Sequence, residues 1–85
     1  MPISIKALRK DLKATLVKHN LMAKLEKQIL LFQNNPRHPS LHTELLKPKH
    51  LKLYSFRLDR KYRAIFIYLG KNTVEIIDIN CHYRG

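Results

Sequence analysis

Apolar residues change their spacing twice along this chain, and each change marks a boundary between structural elements. Ile3 and Ile5 alternate with polar neighbours, which predicts a short first strand. From Lys6 onward the spacing lengthens. Leu8, Leu12 and Leu16 fall four apart on one helical face, with Lys6, Arg9, Lys10 and Lys13 largely elsewhere. His19-Asn20 interrupts that stripe, and asparagine is a helix-stop residue. A second helix follows on Leu21, Leu25, Ile29 and Phe32. It should end near Asn34-Asn35-Pro36, because a residue that precedes proline is pushed out of the α region. Helices joined by so short a link form an antiparallel hairpin.

The second half of the chain supplies what those helical stripes cover. Pro36-Arg37-His38-Pro39-Ser40 reads as a rigid connector, with Leu41, Leu45 and Leu46 as anchors onto the core. Three strands are expected after it. Leu51 to Leu58 places Tyr54, Phe56 and Leu58 on one face and Leu53, Ser55 and Arg57 on the other. Tyr62 to Leu69 is apolar on both faces, as a central strand requires. Thr73 to Ile79 is rich in β-branched residues. Asp59-Arg60-Lys61 and Gly70-Lys71-Asn72 are short enough to be hairpin turns. The expected architecture is a single α+β domain over residues 1–85. Its order is β-α-α-β-β-β, with a helical hairpin packed on one face of a small, mostly antiparallel twisted sheet.

Charge adds what periodicity cannot. Seventeen Lys and Arg against six Asp and Glu give a net charge of +11. Between Leu45 and Val74 the single acid, Asp59, stands against Lys47, Lys49, Lys52, Arg57, Arg60, Lys61, Arg63 and Lys71. A basic stripe on one stretch of sheet suits a phosphate backbone or an acidic protein partner. The 45% apolar share is ordinary for a globular fold, and no apolar run approaches the roughly eighteen residues of a membrane helix. Met1 to Lys6 has no apolar core of a signal peptide, and Cys81 is the only cysteine, so a reducing cytoplasmic setting is expected.

Several strings occur together and in order. Lys10-Asp11-Leu12-Lys13 lies in the first helix, and Asn35-Pro36-Arg37-His38-Pro39-Ser40-Leu41 precedes a basic loop. Tyr54-Ser55-Phe56-Arg57-Leu58 and Tyr62-Arg63-Ala64-Ile65-Phe66 lie in consecutive expected strands, and Ile77-Asp78-Ile79-Asn80-Cys81-His82-Tyr83 runs from the last one toward the C-terminus. This set resembles the RelE/ParE toxins of type II toxin–antitoxin systems over nearly the whole length. The resemblance implies the RelE-like fold and, for RelE- and YoeB-like members, a ribosome-dependent mRNA interferase. Such enzymes cleave mRNA in the ribosomal A site without metal or cofactor and inhibit translation. The substrate's 2′-hydroxyl attacks the adjacent phosphate and leaves a 2′,3′-cyclic phosphate. ParE-like members share the fold but bind DNA gyrase and cut nothing.

That reaction needs a base for the 2′-hydroxyl, positive charge on the phosphorane and an acid for the leaving 5′-oxygen. Arg57 and Arg63 match the family's strand arginines and suit the clamp, because guanidinium donates in a fork and stays charged. An alternative use for Arg63 is pairing with Asp78 or Glu75 across the sheet. His82 is the leading acid or base, and Tyr83 is placed to stack or donate. The family pattern usually carries a tyrosine a few residues past the last strand. Here Tyr83 stands directly beside His82, so either it takes that role in a shifted register or the chain lacks the residue. The catalytic candidates are therefore Arg57, Arg63, His82 and Tyr83. Lys47, Lys49, His50, Lys52, Arg60, Lys61 and Arg84 are candidate RNA or ribosome contacts.

The expected partners are an acidic cognate antitoxin, the ribosome and mRNA, with a toxin–antitoxin hetero-oligomer and no membrane. No metal site is expected: prolines flank His38, and Cys81-His82 has no partner pair at zinc-finger spacing. Two other readings compete with the nuclease, a gyrase-binding toxin and a decayed toxin kept as a basic nucleic-acid-binding module. A chain ending so near its last strand favours the nuclease over the gyrase binder.

Overall fold

The four-residue spacing of Leu12 and Leu16 produces the first helix, α1 (Lys10–Lys18), in the computed structural model, which describes residues 3–81. Both leucines are buried, while Leu8 lies before the helix and is only partly buried. Asn20 ends the helical run with a left-handed backbone (φ 59°). The Leu21 N–H then reaches back to Leu16 O at 2.7 Å and the Asn20 N–H to Val17 O at 3.1 Å, the paired closure of a Schellman motif. Leu21, 1% exposed, is the apolar plug of that turn and leads into α2 (Met22–Asn34).

The remaining elements are strands: β1 (Ser4–Ile5), β2 (Glu44–Leu45), β3 (Tyr54–Arg57), β4 (Tyr62–Tyr68) and β5 (Thr73–Cys81). They form one sheet in the order β1-β5-β4-β3-β2, with β1 parallel to β5 and every other pair antiparallel. The expected α+β order is present, with one strand more than the pattern predicted. Glu44–Leu45 pairs with Ser55 and Tyr54 as an edge strand, and two residues are too few to show a period of their own. The second expected strand, Leu51 to Leu58, also starts later than its composition suggests. Lys49–Leu51 winds into a 3₁₀ turn and Lys52 turns left-handed (φ 57°), so extended backbone begins only near Tyr54.

β4 is the central strand, buried from Arg63 through Phe66. Its pairing with β5 slips by one residue: Ile65 faces Asp78, whereas Phe66 faces Ile76. The bulge at Ile77 lets Ile76 and Ile79, three apart, both enter the core while Asp78 points to the other face. Phe66 is the hub of that core. It is fully buried against Phe32 of α2 at 5.0 Å between ring centroids and against Phe56 of β3 at 5.6 Å.

Two glutamines of α2 tie that helix to the sheet and the connector through backbone carbonyls. Gln28 Nε2, in a side chain only 7% exposed, donates to Arg57 O at 2.7 Å and Ser40 O at 3.3 Å. Gln33 Nε2 donates to Ile3 O at 2.8 Å. Neither glutamine stood out in sequence. The first matters here because it sets the position of β3 and the connector together.

Candidate functional site

Alternation along β3 decides which residues the sheet presents away from the helices. Tyr54 and Phe56 pack toward them, so Ser55 and Arg57 occupy the opposite face. Register does the rest. Arg57 stands directly opposite Arg63, which stands opposite Asn80, and Glu44 stands opposite Ser55. Directly opposed residues have Cβ atoms about 5 Å apart, so two guanidinium groups share one row of the helix-free face.

Like charges in that arrangement repel, and the fold supplies counter-groups. Arg63 Nη1 donates to Ser55 Oγ at 2.7 Å and lies 3.7 Å from Glu44 Oε1. Ser55 is fully buried and Arg63 is 8% exposed, whereas the Glu44 side chain is about half exposed. These partners take the place of the Asp78 or Glu75 pairing weighed from sequence. Glu75 instead meets Lys6 at 3.8 Å, and Asp78 accepts from the Ile79 N–H and the Asn80 amide. The arrangement is a buried, oriented arginine, a second arginine beside it and an accessible carboxylate at the rim. Glu44 and Ser55 were not singled out in sequence. Glu44 gains its place only through the pairing of β2 with β3.

The basic loop lies at the same edge. The Leu46 N–H closes it onto Leu53 O at 2.7 Å, leaving Lys47, Lys49, His50 and Lys52 exposed at its tip. Among the described residues no side-chain hydrogen bond or ion pair engages any of the four, so the three lysine charges are open to a polyanion. Arg60 and Lys61 are exposed in the turn between β3 and β4, where Lys61 Nζ sits 5.6 Å from the Tyr62 ring centroid. His82, Tyr83 and Arg84 lie outside the described residues.

Asp59 organises that turn. Its Oδ1 accepts from the Lys61 and Tyr62 N–H groups, each at 2.8 Å, and its Oδ2 from Lys24 Nζ at 2.8 Å. Burial pushes its carboxyl upward, but the bonds from Lys24 and the two N–H groups outweigh that and hold it below the usual aspartate range. A depressed folded value stabilises the fold above the unfolded value, near pH 4, and the contribution disappears as pH falls through the folded value. Asp59→Ala is expected to lower the urea midpoint at pH 7, a loss of stability of about 1 kcal/mol in a partly exposed turn. The difference from wild type should shrink below about pH 4. A constant difference down to pH 2 would rule out the linkage.

Among the described residues no group of three His, Cys, Asp or Glu side chains is placed to hold a metal ion. None of the described helices is long and apolar enough to cross a membrane.

No protein-family model matches the chain, and comparison with curated proteins gives no match. Solved structures do match over nearly all of its length. A YoeB/ParE toxin from Agrobacterium tumefaciens superposes with a TM-score of 0.70 at 19% identity, covering 98% of this chain and 100% of that one. A copper-bound mutant toxin from Helicobacter pylori gives 0.69 at 15% identity, covering 96% of both chains. A conserved hypothetical protein from Helicobacter pylori gives 0.55 at 10%, again covering 96% of both. Identities this low speak to architecture, and architecture does not dictate activity. Taken with the helical hairpin on a five-stranded sheet, they establish that this chain has the fold of the RelE/ParE toxin superfamily.

Proposed function

We propose that the protein is the toxin of a type II toxin–antitoxin pair and acts as a ribosome-dependent, metal-independent mRNA endoribonuclease. The observation that carries this reading is the row of Arg57 and Arg63 with the Glu44 carboxylate 3.7 Å from Arg63. Cleavage through the 2′-hydroxyl needs a base and a cation on the same phosphate, and this row offers both. Glu44 takes the 2′-hydroxyl proton as O2′ attacks phosphorus. Arg63, aligned by Ser55, and Arg57 beside it stabilise the added negative charge of the phosphorane. The bond to the 5′-oxygen then breaks, and a proton from an acid neutralises that leaving group.

His82 is proposed as that acid, with Tyr83 beside it. Both follow Cys81, which pairs with Tyr62, the neighbour of Arg63. Lys47, Lys49, His50, Lys52, Arg60, Lys61 and Arg84 supply contacts to RNA or the ribosome. A domain of charge +11 with an exposed basic loop beside this row calls for an acidic antitoxin that covers Arg57 or Arg63, with salt-sensitive association. A cytoplasmic setting follows from such partners.

The test is mRNA cleavage during cell-free translation, with cut ends mapped for wild type, Glu44→Gln and His82→Ala. Cuts at A-site codons that fall about a hundredfold in Glu44→Gln support the base assignment. Intact mRNA in that assay, with growth arrested when the protein is expressed in cells, would replace the nuclease with a gyrase-type toxin.

A further inference from the structure

The other side of strand β2 carries a second feature. Behind Glu44 and Leu45, between the connector and Tyr54, lies a cleft of about 360 Å³. Arg37, His38 and His42 bring nitrogen groups to it, and Pro39, Leu45 and Tyr54 form its apolar walls. Its volume is at the small end of ligand pockets, which span ~300–1,000 Å³.

The lining is held in place before any ligand arrives. The Arg37 N–H donates to Asn35 Oδ1 at 3.0 Å, and Thr43 Oγ1 donates to Pro36 O at 2.8 Å. Leu41, fully buried, pins the connector between those bonds. His38 Nδ1 accepts from the Ser40 N–H at 3.2 Å and contacts Ser40 Oγ at 2.8 Å, which assigns the ring proton to Nε2 and leaves that N–H free to donate. His42 turns left-handed (φ 47°), and among the described residues its ring has no hydrogen bond or ion pair. Among the described residues the Arg37 guanidinium has none either; burial and then Tyr54 push the Tyr68 hydroxyl up, Arg37 opposes them more weakly, and the Tyr68 ring meets Tyr54 edge-on at 5.2 Å.

We propose that this cleft binds one nucleotide of single-stranded RNA, across the edge strand β2 from the phosphate held at Arg57 and Arg63. This assignment rests on the nuclease reading for the identity of the strand. The base lies against Tyr54 and Pro39, Arg37 takes the phosphate, and His38 and His42 donate to the base edge or sugar. Unstacked bases are read by this combination of aromatic face, guanidinium and hydrogen-bond donors. An acidic peptide would meet the same charges but would leave the aromatic wall and the fixed His38 donor unused. Glu44 also lines the cleft, but it faces Ser55 across the strand pair and its Oε1 lies 3.7 Å from Arg63 Nη1, which offsets its charge toward an anion here. The same strand therefore separates the nucleotide cleft from the cutting face, and RNA would pass around its edge.

Binding of a short, mixed-sequence 2′-O-methyl RNA oligonucleotide tests this without cleavage. Arg37→Gln should weaken binding about five- to tenfold and reduce the slope of log affinity against log salt by about 0.7, one phosphate contact on a single strand. His42→Gly removes the ring at a position whose backbone suits glycine, and should weaken binding severalfold with the fold retained. In wild type, the His38 and His42 imidazole signals should shift on titration with the oligonucleotide. Wild-type affinity in both variants with unmoved imidazole signals would overturn the cleft assignment, even if the protein cuts mRNA. Loss of binding to a poly-glutamate peptide alone, with RNA affinity unchanged, would also overturn it. If wild type cuts nothing while the oligonucleotide still depends on Arg37 and His42, the nucleotide site stands and the nuclease reading falls.

Discussion

Replacing Arg63 with alanine is expected to reduce mRNA cleavage about a thousandfold while leaving the domain folded. Removing one donor to a developing oxyanion typically costs 10²–10³ in rate, and a guanidinium supplies two donors as well as full charge. Arg63→Lys should be almost as inactive, because a point charge on a flexible stem cannot reproduce the fork that Ser55 and Glu44 align. Effects on stability are of mixed sign. The buried Ser55 hydroxyl loses its described donor, a penalty of about 1–3 kcal/mol. Relief of the repulsion between Arg63 and Arg57 offsets part of it. Single-turnover cleavage on programmed ribosomes, read beside urea unfolding, separates the two effects. An Arg63→Ala protein that still cuts within tenfold of wild type would remove the phosphorane clamp from the mechanism.

Phe66→Ala should have the largest effect on the fold. Phe66 is fully buried at the centre of β4 and meets Phe32, Phe56, Tyr54 and Tyr68 at centroid distances of 5.0, 5.6, 5.6 and 5.7 Å. Truncating a buried phenylalanine costs about 3–5 kcal/mol, part from lost burial and part from the cavity left behind. At ~0.05–0.15 kcal/mol per residue, a domain of this size holds only ~4–13 kcal/mol in total. The variant should therefore be largely unfolded or close to it at 37 °C. Phe66→Leu, which keeps most of the volume, should cost far less. Urea titrations followed by far-UV circular dichroism give both numbers. A loss under 1 kcal/mol for the alanine variant would mean that the aromatic cluster is not what holds helix to sheet.

The two predictions concern opposite faces of the same pair of strands. Phe66 and Phe56 point to the helices, while Arg63 and Arg57 point away, so one register serves both the core and the candidate site. A one-residue slip between β3 and β4 would bury guanidinium against Phe32 and expose the aromatic cluster. Packing of Phe56 and Phe66 thereby protects the arginine row, although neither phenylalanine touches a substrate.

Near-neighbour pattern alone determined the elements of this protein: the leucine stripes of α1 and α2, the stop at Asn20, the apolar core of β4 and the concentration of charge from Lys47 to Lys71. These follow from properties of residues a few positions apart, where periodicity and backbone preference act. Arg57 and Arg63 were visible as candidates, but their facing row was decided by hairpin register. Strand β2, the bulge at Ile77, the Glu44–Arg63 contact, the bond from Gln28 to Arg57 O and the cleft at Arg37 were decided only by tertiary structure. Each depends on groups distant in the chain meeting at one distance and on one face. No local spacing encodes such a meeting, because it is the packing of the whole core that selects it.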